Sequence, residues 1–270
     1  MNSISDILQL KRNSSSSAFI PFITAGYPNI DITIRALIEL DKKGADIIEL
    51  GIPYADALAD GPLIQKASMV ALDNGIYIDE VLDILDKVKP FISVPIVIFT
   101  YYNPILVRGL SFFIKDISYL GVKGLIIPDL PIEETDYIKS ICQQFNIELI
   151  LFVAPTSSQK RVENIISRAP GCLYLVSSTG VTGMRDSINH SIGILSNNVT
   201  NNTNKLVMIG FGVSSPKQIN DLRSLKCSVD GIVVGSAFTH ILSSYSSDSD
   251  DLIIRNLGSF CQQMKLAASN

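Results

Sequence analysis

Eight short apolar runs recur along this chain, at residues 19–24, 46–50, 95–100, 124–128, 148–153, 172–176, 206–210 and 231–235. Unbroken apolar runs of this length read as strands covered on both faces, whereas a half-exposed strand would alternate with polar residues. Between the runs lie segments with apolar residues at three- and four-residue intervals: 31–43, 79–89, 110–120, 132–145, 158–168 and 216–225. Strands alternating with helices pair in parallel through crossovers. A doubly wound open sheet competes with a closed barrel for this pattern. Eight units, with no Rossmann glycine fingerprint after the first, favour closure. The expected fold is α/β, a single (β/α)8 TIM barrel over residues 1–270, which is ordinary for 270 residues. An added helix at the N-terminus is expected from Ile4, Ile7, Leu8 and Lys11, spaced along one side.

Local signals refine the helices. Asp31 precedes the first of them, and Ser215-Pro216 places Pro where a first helical turn accepts it. Gly44, Gly121 and Gly171 follow helices, where the chain commonly needs positive φ.

Composition narrows the function classes. Hydrophobic residues make up 47% of the chain, and mean hydropathy is +0.31. Even so, the longest apolar run, 94–99, is far short of the roughly 20 residues a membrane span needs. The net charge of −4 is spread without a Lys/Arg cluster, which argues against nucleic acid as a partner. Cys142, Cys172, Cys227 and Cys261 lie far apart with no C-x-x-C pair, so neither a zinc site nor a disulfide framework is expected. The first residues lack the apolar core of a signal peptide. These features point to a soluble protein of a reducing compartment.

Barrel active sites lie at the C-terminal ends of the strands, so polar residues falling there are the candidates. Glu49 interrupts the apolar second run, D-I-I-E-L. Facing inward at the barrel mouth, it would be desolvated and its pKa raised into the range useful for acid–base work. Facing outward, it would pair with a helix lysine, and strand position alone leaves both readings open. Asp56 and Asp60 follow in P-Y-A-D-A-L-A-D-G-P. Two carboxylates at one mouth can take different roles, although spacing alone favours Asp60 as a cap ahead of Gly61-Pro62.

Glycine-rich loops after the last three strands carry a phosphate signal. They are S-S-T-G-V-T-G-M with Gly180 and Gly183, I-G-F-G-V-S with Gly210 and Gly212, and I-V-V-G-S-A-F with Gly235 and Ser236. Such loops bring backbone amides and a helix N-terminus close to an anion, the usual arrangement after strands 7 and 8 of a barrel. His190 and His240 fall away from the strand ends, so no His-based triad or metal site can be assembled. Proton transfer is left to the carboxylates, with Tyr27, Tyr101, Tyr102 and Tyr174 as possible helpers. Phe22 and Phe211 stand beside mouth loops, where they could sandwich an aromatic ligand or simply pack.

The ordered motifs P-F-I-T-A-G-Y-P (21–28), E-L-G-I-P-Y-A-D-A-L-A-D-G-P-L-I-Q (49–65), Y-Y-N-P-I (101–105), P-D-L-P (128–131), S-T-G-V-T-G (178–183), G-F-G-V-S-S-P (210–216) and V-G-S-A (234–237) closely resemble the tryptophan synthase alpha subunit family. The resemblance covers essentially the whole chain. It implies a lyase that cleaves indole-3-glycerol phosphate to indole and glyceraldehyde 3-phosphate by a cofactor-free retro-aldol reaction. It also implies Glu49 as the general acid–base and Asp60 as the partner of the charge developing on the indole nitrogen. Phe22, Tyr101, Tyr174, Phe211 and the lid residue Thr182 would contact substrate, and Gly183, Gly212, Gly235 and Ser236 would cradle its phosphate. No metal is implied. The expected partner is a beta subunit that carries pyridoxal phosphate and receives the indole in an alpha2-beta2 tetramer. The loops of Asp56 and Asn103-Pro104 would face it. The expected compartment is the cytoplasm, or the plastid stroma if the chain is plastid-encoded. One position departs from the family pattern: Ala57 stands where Pro is usual, which gives the catalytic loop more backbone freedom.

Overall fold

The computed structural model describes residues 3–176, 196, 197, 199, 200, 203–210, 212–224 and 229–269. Its eight strands are β1 (Ala18–Thr24), β2 (Ile48–Gly51), β3 (Ile96–Phe99), β4 (Gly124–Ile126), β5 (Glu148–Val153), β6 (Leu173–Val176), β7 (Val207–Gly210) and β8 (Gly231–Val234). They are all parallel and close in sequence order, β8 pairing back onto β1. The expected (β/α)8 barrel is the observed fold.

The helices ahead of the mid-chain are α1 (Ile4–Asn13), α2 (Ile30–Lys42), α3 (Pro62–Asp73), α4 (Ile78–Val88), α5 (Tyr102–Arg108) and α6 (Leu110–Tyr119). Beyond it come α7 (Thr135–Gln144), α8 (Gln159–Arg168), α9 (Pro216–Ser224), α10 (Ser236–Leu242) and α11 (Asp250–Ser269). The segment expected as one helix over 132–145 starts with a 3-10 turn, Ile132–Glu134, before α7.

Strand alternation divides the apolar side chains into two cores. Ile20, Phe22, Val97, Phe99, Ile126, Ile150, Tyr174, Met208 and Val233 point inward and fill the barrel. Their neighbours Phe19, Ile23, Ile98, Leu125, Leu149, Leu173, Ile209 and Ile232 point outward and meet the apolar helix faces. Apart from the partly exposed Glu148, Phe152 and Val176, the strand residues are buried on both faces, which is why the runs do not alternate.

The N-terminal helix closes the bottom of the barrel. Ile4 and Leu8 of α1 are fully buried in the interior core. Room for them comes from two inward glycines. A Cβ on Gly124 would sit 3.1 Å from Ile4 Cγ1, and one on Gly231 would sit 2.9 Å from Leu8 Cδ2. Polar ties hold the plug in place. The Ser5 hydroxyl donates to Glu148 at 2.6 Å, the Arg12 fork grips Asp230 at 2.6 and 2.8 Å, and Lys11 pairs with Asp46 at 2.8 Å.

Two local expectations are corrected. Asn29, not Asp31, caps α2, its side chain accepting from the Ile32 amide at 2.9 Å, and Asp31 stands in the first turn instead. Gly44 and Gly121 do adopt positive φ, but Gly171 does not. Close approach demands a glycine at that position, because a Cβ would fall 2.1 Å from Glu148 Oε1.

Candidate active site

Glu49 lies in β2, in register with Phe22 on one side and Val97 on the other, both of them barrel-filling residues. The pleat therefore turns Glu49 inward, and the outward reading with a helix lysine fails. It is only 2% exposed, and its Oε2 has no hydrogen-bond partner among the described residues. Burial, with the charge of Asp60 added, pushes its pKa up to about 8.

Asp60 lies in the loop between β2 and α3 and is 4% exposed. It does not cap the helix. Gly61 is the N-cap residue, with no side-chain cap, and Pro62 opens the first turn. The carboxylate instead accepts a 2.9 Å hydrogen bond from the Tyr101 hydroxyl, whose oxygen accepts in turn from the Ala59 amide at 3.0 Å. Burial raises Asp60 to about 6, with the Tyr101 bond pulling the other way. Two carboxyls thus share one mouth with unequal proton affinities. Of the two, Asp60 is the one that ionises first and Glu49 the one that keeps its proton to higher pH.

Tyr174 of β6 completes this group. Burial, then the charges of Glu49 and Asp60, hold its hydroxyl well above the ordinary phenol range. Gly210 on β7 makes the space, since a Cβ there would lie 1.8 Å from the Tyr174 oxygen. Phe22 meets Phe99 edge-on at 5.8 Å, and Phe152 packs on Tyr174 at 4.6 Å. Sequence reasoning missed Phe99 and Phe152 as part of this aromatic lining. The signal was available in strand parity, which puts Phe99 on the inward face with Val97, and Phe152 with Ile150.

The remaining expected residues separate. Gly212 takes φ +96°. Gly235 is the N-cap residue of α10 and Ser236 its first residue, with no side chain capping that end. Thr182, Gly183, Phe211, Gly180, His190 and Cys227 lie outside the described residues. Tyr27 belongs to the outer core, packed edge-on against Tyr245, so it is no helper. The Tyr102 amide bonds to Asp129 at 2.9 Å, and its ring joins the outer core instead of the mouth. His240 is an exposed residue of α10.

A closed parallel barrel, with two buried carboxyls of raised pKa at its C-terminal mouth and an aromatic lining near them, places the chain among the (β/α)8 barrel enzymes. The family model described as tryptophan synthase alpha chain matches residues 8–269. The chain belongs to the tryptophan synthase alpha chain family. It is 58% identical to the tryptophan synthase alpha chain of Gracilaria tenuistipitata var. liui, over 98% of this chain and 96% of that one. It is 54% identical to that of Antithamnion sp., over 99% of each. Among solved structures, it superposes on tryptophan synthase subunit alpha of Legionella pneumophila str. Paris with a TM-score of 0.88 and 29% identity, covering 99% and 98% of the two chains. A chain of Mycobacterium tuberculosis tryptophan synthase gives 0.89 at 27% identity with full coverage of both. The chain is accordingly a lyase of tryptophan biosynthesis, performing the alpha reaction that cleaves indole-3-glycerol phosphate to indole and glyceraldehyde 3-phosphate. Family membership implies a beta-subunit partner. No helix among the described residues is long and apolar enough to cross a membrane.

Proposed function

We propose that Glu49 and Asp60 divide the alpha reaction between them. The observation that carries this reading is the buried Glu49 oxygen, without a hydrogen-bond partner among the described residues, at the same mouth as the buried Asp60 carboxyl that Tyr101 holds. Protonated Glu49 delivers its proton to indole C3, and positive charge develops on the ring nitrogen, where the Asp60 carboxylate stabilises it. The Glu49 carboxylate so formed takes the proton of the adjacent glycerol hydroxyl. The C–C bond then breaks, its electron pair returns to the indole, and the aldehyde of glyceraldehyde 3-phosphate is released. Glu49 ends the cycle protonated.

Phe22, Tyr174 and Phe211 hold the indole, and Tyr101 fixes Asp60 through its hydroxyl. Thr182 closes the lid, which excludes water and strengthens both carboxylates. Gly183, Gly212, Gly235 and Ser236 bind the phosphate, the last two through the opening amides of α10. No step calls for a cofactor on this chain. In an alpha2-beta2 tetramer, indole passes to the beta subunit, which alone carries pyridoxal phosphate. The exposed Asp56 and Asn103, together with Leu58 at 84% exposure, form the rim facing that partner. The relatives from Gracilaria and Antithamnion support a plastid-encoded origin and a stromal location. The test is indole release by the purified chain and by Glu49→Gln. The variant should bind indole-3-glycerol phosphate while losing turnover, and near-normal turnover would remove Glu49 from this role.

A further inference from the structure

Asp60 is held from above by Tyr101, but its carboxylate can be no better placed than the backbone beneath it. That backbone is a tight loop. The Leu58 amide donates to Asp56 O at 2.8 Å and the Asp60 amide to Ala57 O at 3.1 Å, so residues 56–60 fold through two successive turns. Nothing in the residue types stiffens the loop. Ala57 lacks the ring that restricts φ at a proline, and backbone freedom at such a position loosens a turn.

One side chain outside the loop compensates. Gln65, in the first turns of α3, donates from Nε2 to both Ala57 O at 3.1 Å and Asp60 O at 3.0 Å. A primary amide nitrogen carries two hydrogens, and both are spent on the two carbonyls that bracket the turn. Gln65 is itself anchored, its backbone amide donating to Gly61 O at 2.9 Å. Ala57 and Ile64, on either side of this clamp, are buried in the barrel-interior core with Phe22. The loop is therefore gripped from two sides, by Tyr101 after β3 and by Gln65 on α3.

We propose that Gln65 is a positioning residue for the alpha reaction, setting the place of Asp60 by clamping the carbonyls of Ala57 and Asp60. The proposal rests on the role assigned to Asp60 above. With its amide hydrogens engaged by Ala57 O and Asp60 O, Gln65 acts through Asp60. It fixes the loop so that Asp60 meets the indole nitrogen when charge develops there, and the effect falls on the chemical step more than on binding. Phe22, Phe99, Phe152 and Tyr174 stand on β1, β3, β5 and β6, not on the clamped loop.

The experiment is steady-state cleavage of indole-3-glycerol phosphate by the full chain and three variants. Gln65→Met keeps the side-chain length with no donor, Gln65→Glu keeps the shape with an acceptor, and Asp60→Asn serves as the control. Thermal unfolding of each is measured alongside. With the loop loosened, kcat should fall roughly tenfold in both Gln65 variants while KM changes by less than about twofold. Should Gln65→Met fail to fold, Gln65→Glu carries the same expectation. Unchanged kcat in a Gln65 variant, with turnover lost in Asp60→Asn, overturns the clamp and leaves Asp60 standing. A rise in KM equal to the fall in kcat/KM, with kcat unchanged, also overturns it. Near-normal turnover in Asp60→Asn refutes the underlying role of Asp60 itself.

Discussion

A carboxyl kept protonated by burial should weaken the fold as pH rises, and Glu49 allows that effect to be sized. Its ordinary value is 4.5 and the folded value is about 8. The folded chain therefore holds this proton over a range where the unfolded chain has released it. Stability from this group is complete below the unfolded value and is lost as pH climbs through the folded one. Integrated between pH 6 and pH 9, the loss is about 2–3 kcal/mol. Glu49→Gln removes the titration while keeping the shape. Asp60 does not disturb the comparison, since burial is the main cause of its raised value and persists in the variant. The assay is urea unfolding of parent and variant at pH 6, 7, 8 and 9. The variant should gain on the parent steadily, by about 2–3 kcal/mol across the series. A difference that stays constant with pH would mean that Glu49 is ionised in the folded chain, and the reasoning from burial would fail.

Tyr101→Phe should take away the hydrogen bond that holds Asp60 down and leave the Ala59 amide without its acceptor. The acid limb of kcat/KM should move to higher pH, with stability lower by about 1–2 kcal/mol; a limb that stays in place would show that the phenol does not tune Asp60. Gly210→Ala would put a methyl 1.8 Å from the Tyr174 oxygen. Overpacking of this kind costs about 1–3 kcal/mol, so thermal unfolding should come earlier and indole release should fall. A variant as stable and active as the parent would contradict the packing of that mouth.

Much of the barrel was legible because both faces of each strand are buried, so the apolar runs mark the strands to within a residue or two. Helix α5 was not. Its seven residues, Tyr102–Arg108, are too few to show a helical period, and Pro104 stands inside the first turn. At the site, Glu49 could be located but not oriented. Its orientation depends on the pairing that sets it between Phe22 and Val97, a register between distant segments. Asp60 was misjudged by spacing for a related reason. The competing partner, the Tyr101 hydroxyl, comes from 41 residues away, and no local capping rule contains it. Gln65 ends the 49–65 motif with no role visible in sequence, because its two acceptors are backbone carbonyls whose direction only the folded turn decides. The glycines at 124 and 231 likewise meet atoms of other elements, and Gly210, which its neighbourhood suggested for the phosphate cradle, makes room for Tyr174 instead.

The central claim is that one carboxyl is protonated and the other ionised at the same moment. The pH dependence of kcat/KM for indole-3-glycerol phosphate cleavage tests it most directly, because it reports ionisations of the free enzyme. The account predicts a bell, rising as Asp60 ionises at about 6 and falling as Glu49 loses its proton at about 8. The substrate phosphate also titrates near the acid limb, so the alkaline limb is the decisive one. A profile that stays level from pH 7 to pH 10 would contradict the account, since Glu49 would then act without its proton.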